Sequence, residues 1–360
     1  MSYEAAFSPD YATARARFCA AASGAGAWLE SQPIDARGPG GVELSIDAAL
    51  LGGPECRRAV VLSSGLHGVE GFAGSAIQTA WLQDESRRGA LPPDCGLVFL
   101  HGLNPFGFAW RRRTDEENVD LNRNFLLPGE EYAGAPPHYA ELDRLFNPPS
   151  PPRRGEPFLL KALLAGLRVG WGTLRRTLPV GQYDFPKGLF FGGARPSQVH
   201  RILAAQLPGW LGAVQDVLHL DFHTGLGRWA GYRLWPSSEL DSPEGRWLRA
   251  RFGKKALMRA YPTLGAWGAW CTARFANRNY RFATVEFGTF SAVRVVAALR
   301  AENRAHHWCK AGDSRLARAR ERLVEAFAPS DPRWRDAVVR QGLALVDRAV
   351  APADKVGGTP

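Results

Sequence analysis

Four short apolar runs constrain this chain most, because each one breaks off into glycines and polar residues. Residues 59–63 (AVVLS) lead into Ser64-Gly65, and residues 96–100 (GLVFL) into His101-Gly102-Leu103-Asn104-Pro105. Residues 216–222 (DVLHLDF) lead into His223-Thr224-Gly225, and residues 282–287 (FATVEF) into Gly288. Short apolar runs bounded by turn formers read as buried strands. Between and after them lie stretches with helical spacing: residues 10–31, then Phe72, Ala73, Ala76, Ile77, Ala80 and Trp81, and finally residues 291–308, 313–327 and 333–350. Strands alternating with helices predict an α/β fold with a mixed, mostly parallel central sheet flanked by helices. In open sheets of that kind, ligands bind at the strand ends.

A chain of 360 residues can bury a large core, and residues 1–360 read as one domain. Residues 126–200 differ in character. The run from Asn147 through Pro148, Pro149, Pro151 and Pro152 to Arg154 cannot continue a helix or a central strand. This stretch is expected to be an insertion on the rim of the domain, a lid or a substrate wall.

Composition mostly excludes. No stretch approaches the ~20 apolar residues that span a bilayer. Met1 to Asp10 has no basic region followed by an apolar one, so the expectation is a cytoplasmic protein with no membrane partner. Five cysteines (Cys19, Cys56, Cys95, Cys271, Cys309) are scattered singly, which fits reduced thiols and neither a disulfide framework nor a cysteine zinc site. The formal charge of +10 raises the question of nucleic acid. The arginines are spread along the chain, however, without an RNA-module signature or zinc-finger spacing. A solvated basic surface that helps attract an anionic substrate accounts for them, and no nucleic-acid partner is expected.

The polar clusters at the strand ends carry the chemistry. His67 and Glu70 stand three residues apart among glycines, in Gly65-Leu66-His67-Gly68-Val69-Glu70-Gly71. Taken alone, they are also what a loop histidine beside a surface acid looks like. His223 ends the third run and Glu286 sits in the fourth. Two histidines and a carboxylate make a catalytic zinc set, because three protein ligands leave one position for water. A further carboxylate serves as general base and an arginine steadies the developing oxyanion. His219 competes with His223 for the third place, but four residues along a strand put the two ~13 Å apart. His223 is preferred because it lies beside the glycine turn. Asp221, on the same face, either orients a ligand histidine or only ties down the loop.

Other chemistries find less support. Gly225-Leu226-Gly227-Arg228-Trp229-Ala230 mimics a dinucleotide fingerprint, but a strand-like segment (Gly231 to Pro236) follows where a helix is required. Neither a phosphate-binding Gly-x-x-x-x-Gly-Lys loop nor a Gly-x-Ser-x-Gly elbow occurs.

The order of these motifs resembles the M14-type zinc carboxypeptidase superfamily, and in particular its DUF2817 branch, related to succinylglutamate desuccinylase and aspartoacylase. His67 and Glu70 match that group's His-x-x-Glu. Asp120, Asn122, Arg123, Asn124 and Phe125 match its Asp-x-Asn-Arg-Asn-Phe string in full. The resemblance implies a zinc carboxypeptidase-like fold and one zinc ion held by His67, Glu70 and His223. It also implies Glu286 as the catalytic glutamate, and Arg113, chosen over Arg111 and Arg112 by its distance to Asp120, at the oxyanion. Asn122 and Arg123 would bind the free carboxylate of a small peptide or an N-acyl amino acid. A carboxypeptidase-like peptidase is therefore expected. An N-acyl-amino-acid deacylase is the near alternative, because Glu286-Phe287-Gly288 is closer to that side of the group. A catalytically silent binding protein is the remote one. The substrate-side tyrosine of digestive carboxypeptidases has three candidates here, Tyr183, Tyr232 and Tyr280.

Overall fold

The computed structural model describes residues 3–352 apart from 54, 154, 157, 171, 173–178 and 260–262. Seven strands form one sheet: β1 (Trp28–Arg37), β2 (Glu43–Leu51), β3 (Arg58–Ser64), β4 (Cys95–His101), β5 (Asp216–Trp229), β6 (Tyr232–Pro236) and β7 (Asn279–Gly288). Their order across the sheet is β1-β2-β4-β3-β5-β7-β6. The four central strands, β4, β3, β5 and β7, run parallel. The strands toward the two edges pair antiparallel. The sheet is thus mixed with a parallel centre, as the alternation of strands and helices requires.

Strand periodicity sorts the side chains into two cores. Val60, Leu62, Leu97, Phe99, Leu218, Leu220 and Val285 face one way, against helices that contribute Phe18, Ile77 and Val346. Val61, Val98, Leu100, Val217 and Phe282 face the other way, against Leu203, Leu207, Trp267 and Trp270. The helices Tyr11–Gly24, Gly71–Gln83 and Pro332–Val350 cover the first face, and Gln198–Leu211 and Trp267–Arg274 the second.

Three expectations change. The first helix does not run to residue 31. It stops at Gly24, Gly26 takes φ +72°, and β1 starts at Trp28. β1 is an edge strand, mostly solvated and interrupted near Pro33, so it lacks the apolar alternation that reveals a strand. β5 does not end at residue 222 but continues to Trp229, and the turn after it leads into β6, which pairs antiparallel with β7. Finally, residues 198–200 belong to the core helix Gln198–Leu211, inside the expected bounds of the insertion. Parts of the 126–200 stretch (154, 157, 171 and 173–178) lie outside the described residues.

Two tight approaches set the path after β3. Gly65 adopts φ +73° at the strand end, a region that a side chain disfavours. Gly68 lies so close to the helix Pro105–Trp110 that an added Cβ would fall 2.1 Å from the carbonyl carbon of Gly107. That atom is backbone and cannot swing aside. Gly68→Ala is therefore expected to destabilise the fold by about 3 kcal/mol through overpacking. A urea unfolding curve checks this, and a midpoint equal to that of the wild type contradicts it.

Candidate metal centre

The sheet register brings the site together. β5 pairs with β3 only as far as Phe222 opposite Ser64, so His223 is the first β5 residue to project beyond the β3 end. His223 lies directly opposite Glu286 in the parallel β5–β7 pair, which puts both side chains on one face. The chain leaving β3 turns at Gly65 and places His67 just before the short 3-10 turn Gly68–Glu70. Glu70 then stands at the N-terminus of the helix Gly71–Gln83. His67, Glu70 and His223 are all buried, and their ligating atoms lie within 4.8 Å of one another. They form a metal-ligating cluster of the composition found in zinc-dependent hydrolases.

The donor pattern around the cluster suits a cation. The His223 Nε2 is 2.6 Å from the Asp221 carboxylate, and the His67 Nε2 is 3.1 Å from that of Asp120. A carboxylate accepts, so His223 carries its proton on Nε2 and turns an Nδ1 lone pair inward. The His67 Nε2 lies between Asp120 and the donating Nη2 of Arg113 at 2.8 Å, and His67 takes the same form when it donates to Asp120. The two Nδ1 atoms face each other at 3.1 Å, and Glu70 oxygens lie 2.9 Å from one and 3.0 Å from the other. Two lone pairs and an anion pointed at one spot repel unless a positive charge sits among them. Ligands ~2.0–2.1 Å from a tetrahedral ion are separated by about 3.3 Å, close to what these atoms show. The residues present fit a divalent metal ion.

Charge follows the same logic. When the imidazoles are protonated, burial still raises the Glu70 pKa, but the His67 and His223 charges and hydrogen bonds outweigh it and hold the carboxyl below its usual range. The backbone N–H of Thr224 donates to it at 3.0 Å. Asp120 is likewise pushed up by burial and pulled further down by Arg113 and His67. Glu286 goes the other way: burial first, then repulsion from Glu70, push it up to about 7. One of its oxygens, Oε1, accepts the N–H of Leu226 at 2.8 Å.

The three candidate arginines separate cleanly. Arg113 meets the cluster, donating to Glu70 at 3.1 Å and to Asp120 at 2.9 Å, with its guanidinium over the Phe190 ring. Arg112 is buried away from it on Glu302 and Asn118, and Arg111 reaches the carbonyl of Pro9. Asn122 and Arg123 lie on the 3-10 turn Leu121–Arg123 that follows Asp120. The Asn122 side-chain oxygen accepts from the N–H of Trp267, and the buried Arg123 donates through Nε to the carbonyl of Pro179 at 3.0 Å. Of the tyrosines, Tyr183 donates to the Arg123 carbonyl, Tyr232 packs on Phe287, and Tyr280 reaches His219 near the other end of the sheet. His101 is buried against Ser75 and stacks on Phe18.

Two contributors were not legible as such in the sequence. Asp120 carried only its place in a motif, and its contact with His67 joins residues 53 apart. Phe190 gave no signal; it holds φ +58°, unusual for a bulky side chain, and caps Arg113.

Residues 7–341 match the family described as "Protein of unknown function (DUF2817)". The chain belongs to this family. No curated protein matches it significantly. Among solved structures it is similar to a Shewanella baltica protein provisionally described as a metallopeptidase (15% identity, 83% of this chain and 91% of that one, TM-score 0.45). It is also similar to the succinylglutamate desuccinylase of Chromobacterium violaceum (17%, 89% and 73%, TM-score 0.40) and to the carboxypeptidase A of Helicoverpa armigera (12%, 89% and 74%, TM-score 0.47). Identities this low, with TM-scores below 0.5, leave the functional reading to this chain's own residues.

If Asp120 fixes the proton on His67, then Asp120→Asn, which can present its NH₂ group to Nε2, weakens divalent metal binding by roughly 10–100-fold. Competition against a chromogenic chelator measures this, and an unchanged affinity contradicts it.

Proposed function

We propose that this chain is a zinc-dependent hydrolase of amide bonds, acting as a carboxypeptidase-like peptidase on small peptides with a free carboxylate. The observation that carries this reading is the placement of Glu286, a buried carboxylate with a raised pKa, opposite His223 and across from the His67–Glu70 pair. His67 and His223 would hold the ion through Nδ1, and Glu70 through its carboxylate. Zinc bound there would supply a Lewis acid for the scissile carbonyl and lower the pKa of a neighbouring water.

Glu286 supplies the base. With its Oε1 anchored on Leu226, the other carboxylate oxygen is left to take a proton from the attacking water. The same group then returns that proton to the leaving nitrogen. Arg113 contributes a fixed positive charge beside the carbonyl as negative charge develops on its oxygen. Two carboxylates hold that guanidinium in place, so it needs little reorganisation at the moment of reaction.

Arg123 and Asn122 anchor the substrate carboxylate in this reading. The Arg123 guanidinium rests on the Pro179 carbonyl, a neutral acceptor that a carboxylate can outcompete through a bidentate pair. Binding would then displace the Pro179–Gly181 segment from Arg123. An N-acyl amino acid offers the same carboxylate, and deacylation would use the same groups.

Mass-spectrometric screening of short peptides and N-acyl amino acids, with zinc and with a chelator, tests the proposal. Chelator-sensitive loss of a C-terminal residue is expected; release of the acyl group alone would reassign the enzyme as a deacylase. Glu286→Gln is expected to keep its zinc and lose about 10²–10⁴-fold in kcat. Full activity in that variant removes Glu286 as the base.

The pH dependence has a definite sign. Glu286 works only when ionised, so kcat/KM falls as pH drops through its pKa. Burial and Glu70 put that pKa at about 7, and a bound cation draws it lower. The acid limb of the profile should therefore lie at or below pH 7. A rate that rises as pH falls from 7 to 5 is incompatible with this role.

A further inference from the structure

Behind the metal centre, a row of buried polar side chains crosses a sheet face that is otherwise apolar. His219, Asp221 and His223 alternate along β5 and so share one face, and Ser63 stands in register with Asp221 on β3. The Ser63 hydroxyl is 2.6 Å from Asp221 Oδ1 and 2.7 Å from His219 Nε2. His219 Nδ1 lies 2.8 Å from the Tyr280 hydroxyl. Ser63, His219, Asp221, His223 and Tyr280 are each 4% exposed or less. Their neighbours on that face are Val61, Val217, Trp267 and Phe282.

Hydrogen-bond bookkeeping gives this row one direction. Asp221 accepts at Oδ2 from His223 Nε2 and at Oδ1 from Ser63. Ser63 has a single proton, so once that proton points at Asp221 the serine oxygen can only accept, and His219 must donate from Nε2. Burial pushes the His219 pKa down to about 4, which leaves the ring neutral and Nδ1 bare to accept from Tyr280. The ring is also clamped edge-on between Phe282 and Trp267. Each of these groups would be costly in an apolar core if unpaired, and together they leave Asp221 no freedom to rotate.

We propose that Ser63 and His219 are positioning residues for metal binding, holding the Asp221 carboxylate so that His223 presents Nδ1 toward His67 and Glu70. The proposal rests on reading those three residues as a metal centre. A row that only satisfied buried polar groups would affect stability alone. A positioning row changes metal affinity in the folded protein.

The test uses the full chain and zinc ion titrated against a chromogenic chelator, with thermal unfolding of the metal-free form as a companion measurement. Ser63→Ala is expected to bind zinc at least about 10-fold more weakly than the wild type, and Ser63→Thr, which keeps the hydroxyl, to recover most of that loss. Equal affinity in the wild type and Ser63→Ala overturns the positioning role and leaves the metal centre standing. Equal losses in Ser63→Ala and Ser63→Thr, tracking a common fall in Tm, also overturn it, because the hydroxyl would then not matter. A wild type that fails to bind zinc overturns the metal centre and this proposal with it. Should Ser63→Ala not fold, ¹⁵N spectra of the histidines in the unmodified protein decide: His219 protonated only on Nε2 supports the row, and protonation on Nδ1 overturns it.

Discussion

The parallel pairing of β5 between β3 and β7 is the constraint on which the rest of this molecule depends. It makes His223 the first β5 residue to clear β3 and sets it opposite Glu286. A one-residue slip would turn His219, Asp221 and His223 to the opposite face and separate them from Ser63 and His67. The register is enforced by what lies on either side of the sheet, since the alternate residues Leu218, Leu220 and Phe222 belong to the other core. Hydrophobic burial therefore does the positioning, and the polar face inherits its geometry.

That inheritance explains why four carboxylates can be buried within a few residues of one another. Glu70, Asp120, Asp221 and Glu286 are all almost without solvent exposure, and Arg113 sets a fixed positive charge on Glu70 and Asp120. Anions this close cannot all stay ionised without compensation. The structure answers with donors on Glu70, Asp120 and Asp221, and with a raised pKa on Glu286, the one least provided for. A divalent cation at the Nδ1 pair would complete the balance. The acid left with a raised pKa is then the one suited to carry protons, as acid–base roles follow from environments that push pKa values apart.

Much of this was legible in the sequence, and the reasons are local. Strands buried on both faces appear as continuous apolar runs, so β3, β4 and β7 were found within a few residues. Their polar ends marked His67, Glu70, His223 and Glu286. β1 was missed because an edge strand has no core-facing pattern to display, and β5 was cut short because Thr224-Gly225-Leu226-Gly227 reads as a turn, although Thr224 and Gly225 still pair with β7. What sequence hid was every relation between distant residues. Asp120 against His67, Ser63 against Asp221 and Phe190 against Arg113 join segments that only the folded chain brings together. Among Arg111, Arg112 and Arg113, distance to Asp120 favoured the residue that reaches the cluster, while the αL conformation at Arg111 turns the chain so that adjacent arginines diverge.

If Arg123 anchors the substrate carboxylate as proposed, the same physics extends from the centre to substrate selection. A guanidinium offers five donors in a rigid fork, and this one gives three of them to the backbone carbonyls of Asn122 and Pro179. Neutral acceptors satisfy its hydrogen bonds, and its charge is met only at a distance by Asp120, whose carboxyl it helps hold low, so an anion in direct contact would still be favoured. The enclosure is close: a Cβ on Gly181 would meet the Arg123 side chain at 2.7 Å, and the Tyr183 hydroxyl holds the Arg123 carbonyl. In that reading a ligand without a carboxylate would have nothing to offer in exchange for the Pro179 contact, whereas one that carries it would replace a dipole with a charge. Discrimination of that kind comes from the difference between two occupants of one buried cation, and it requires no further contact with the rest of the substrate.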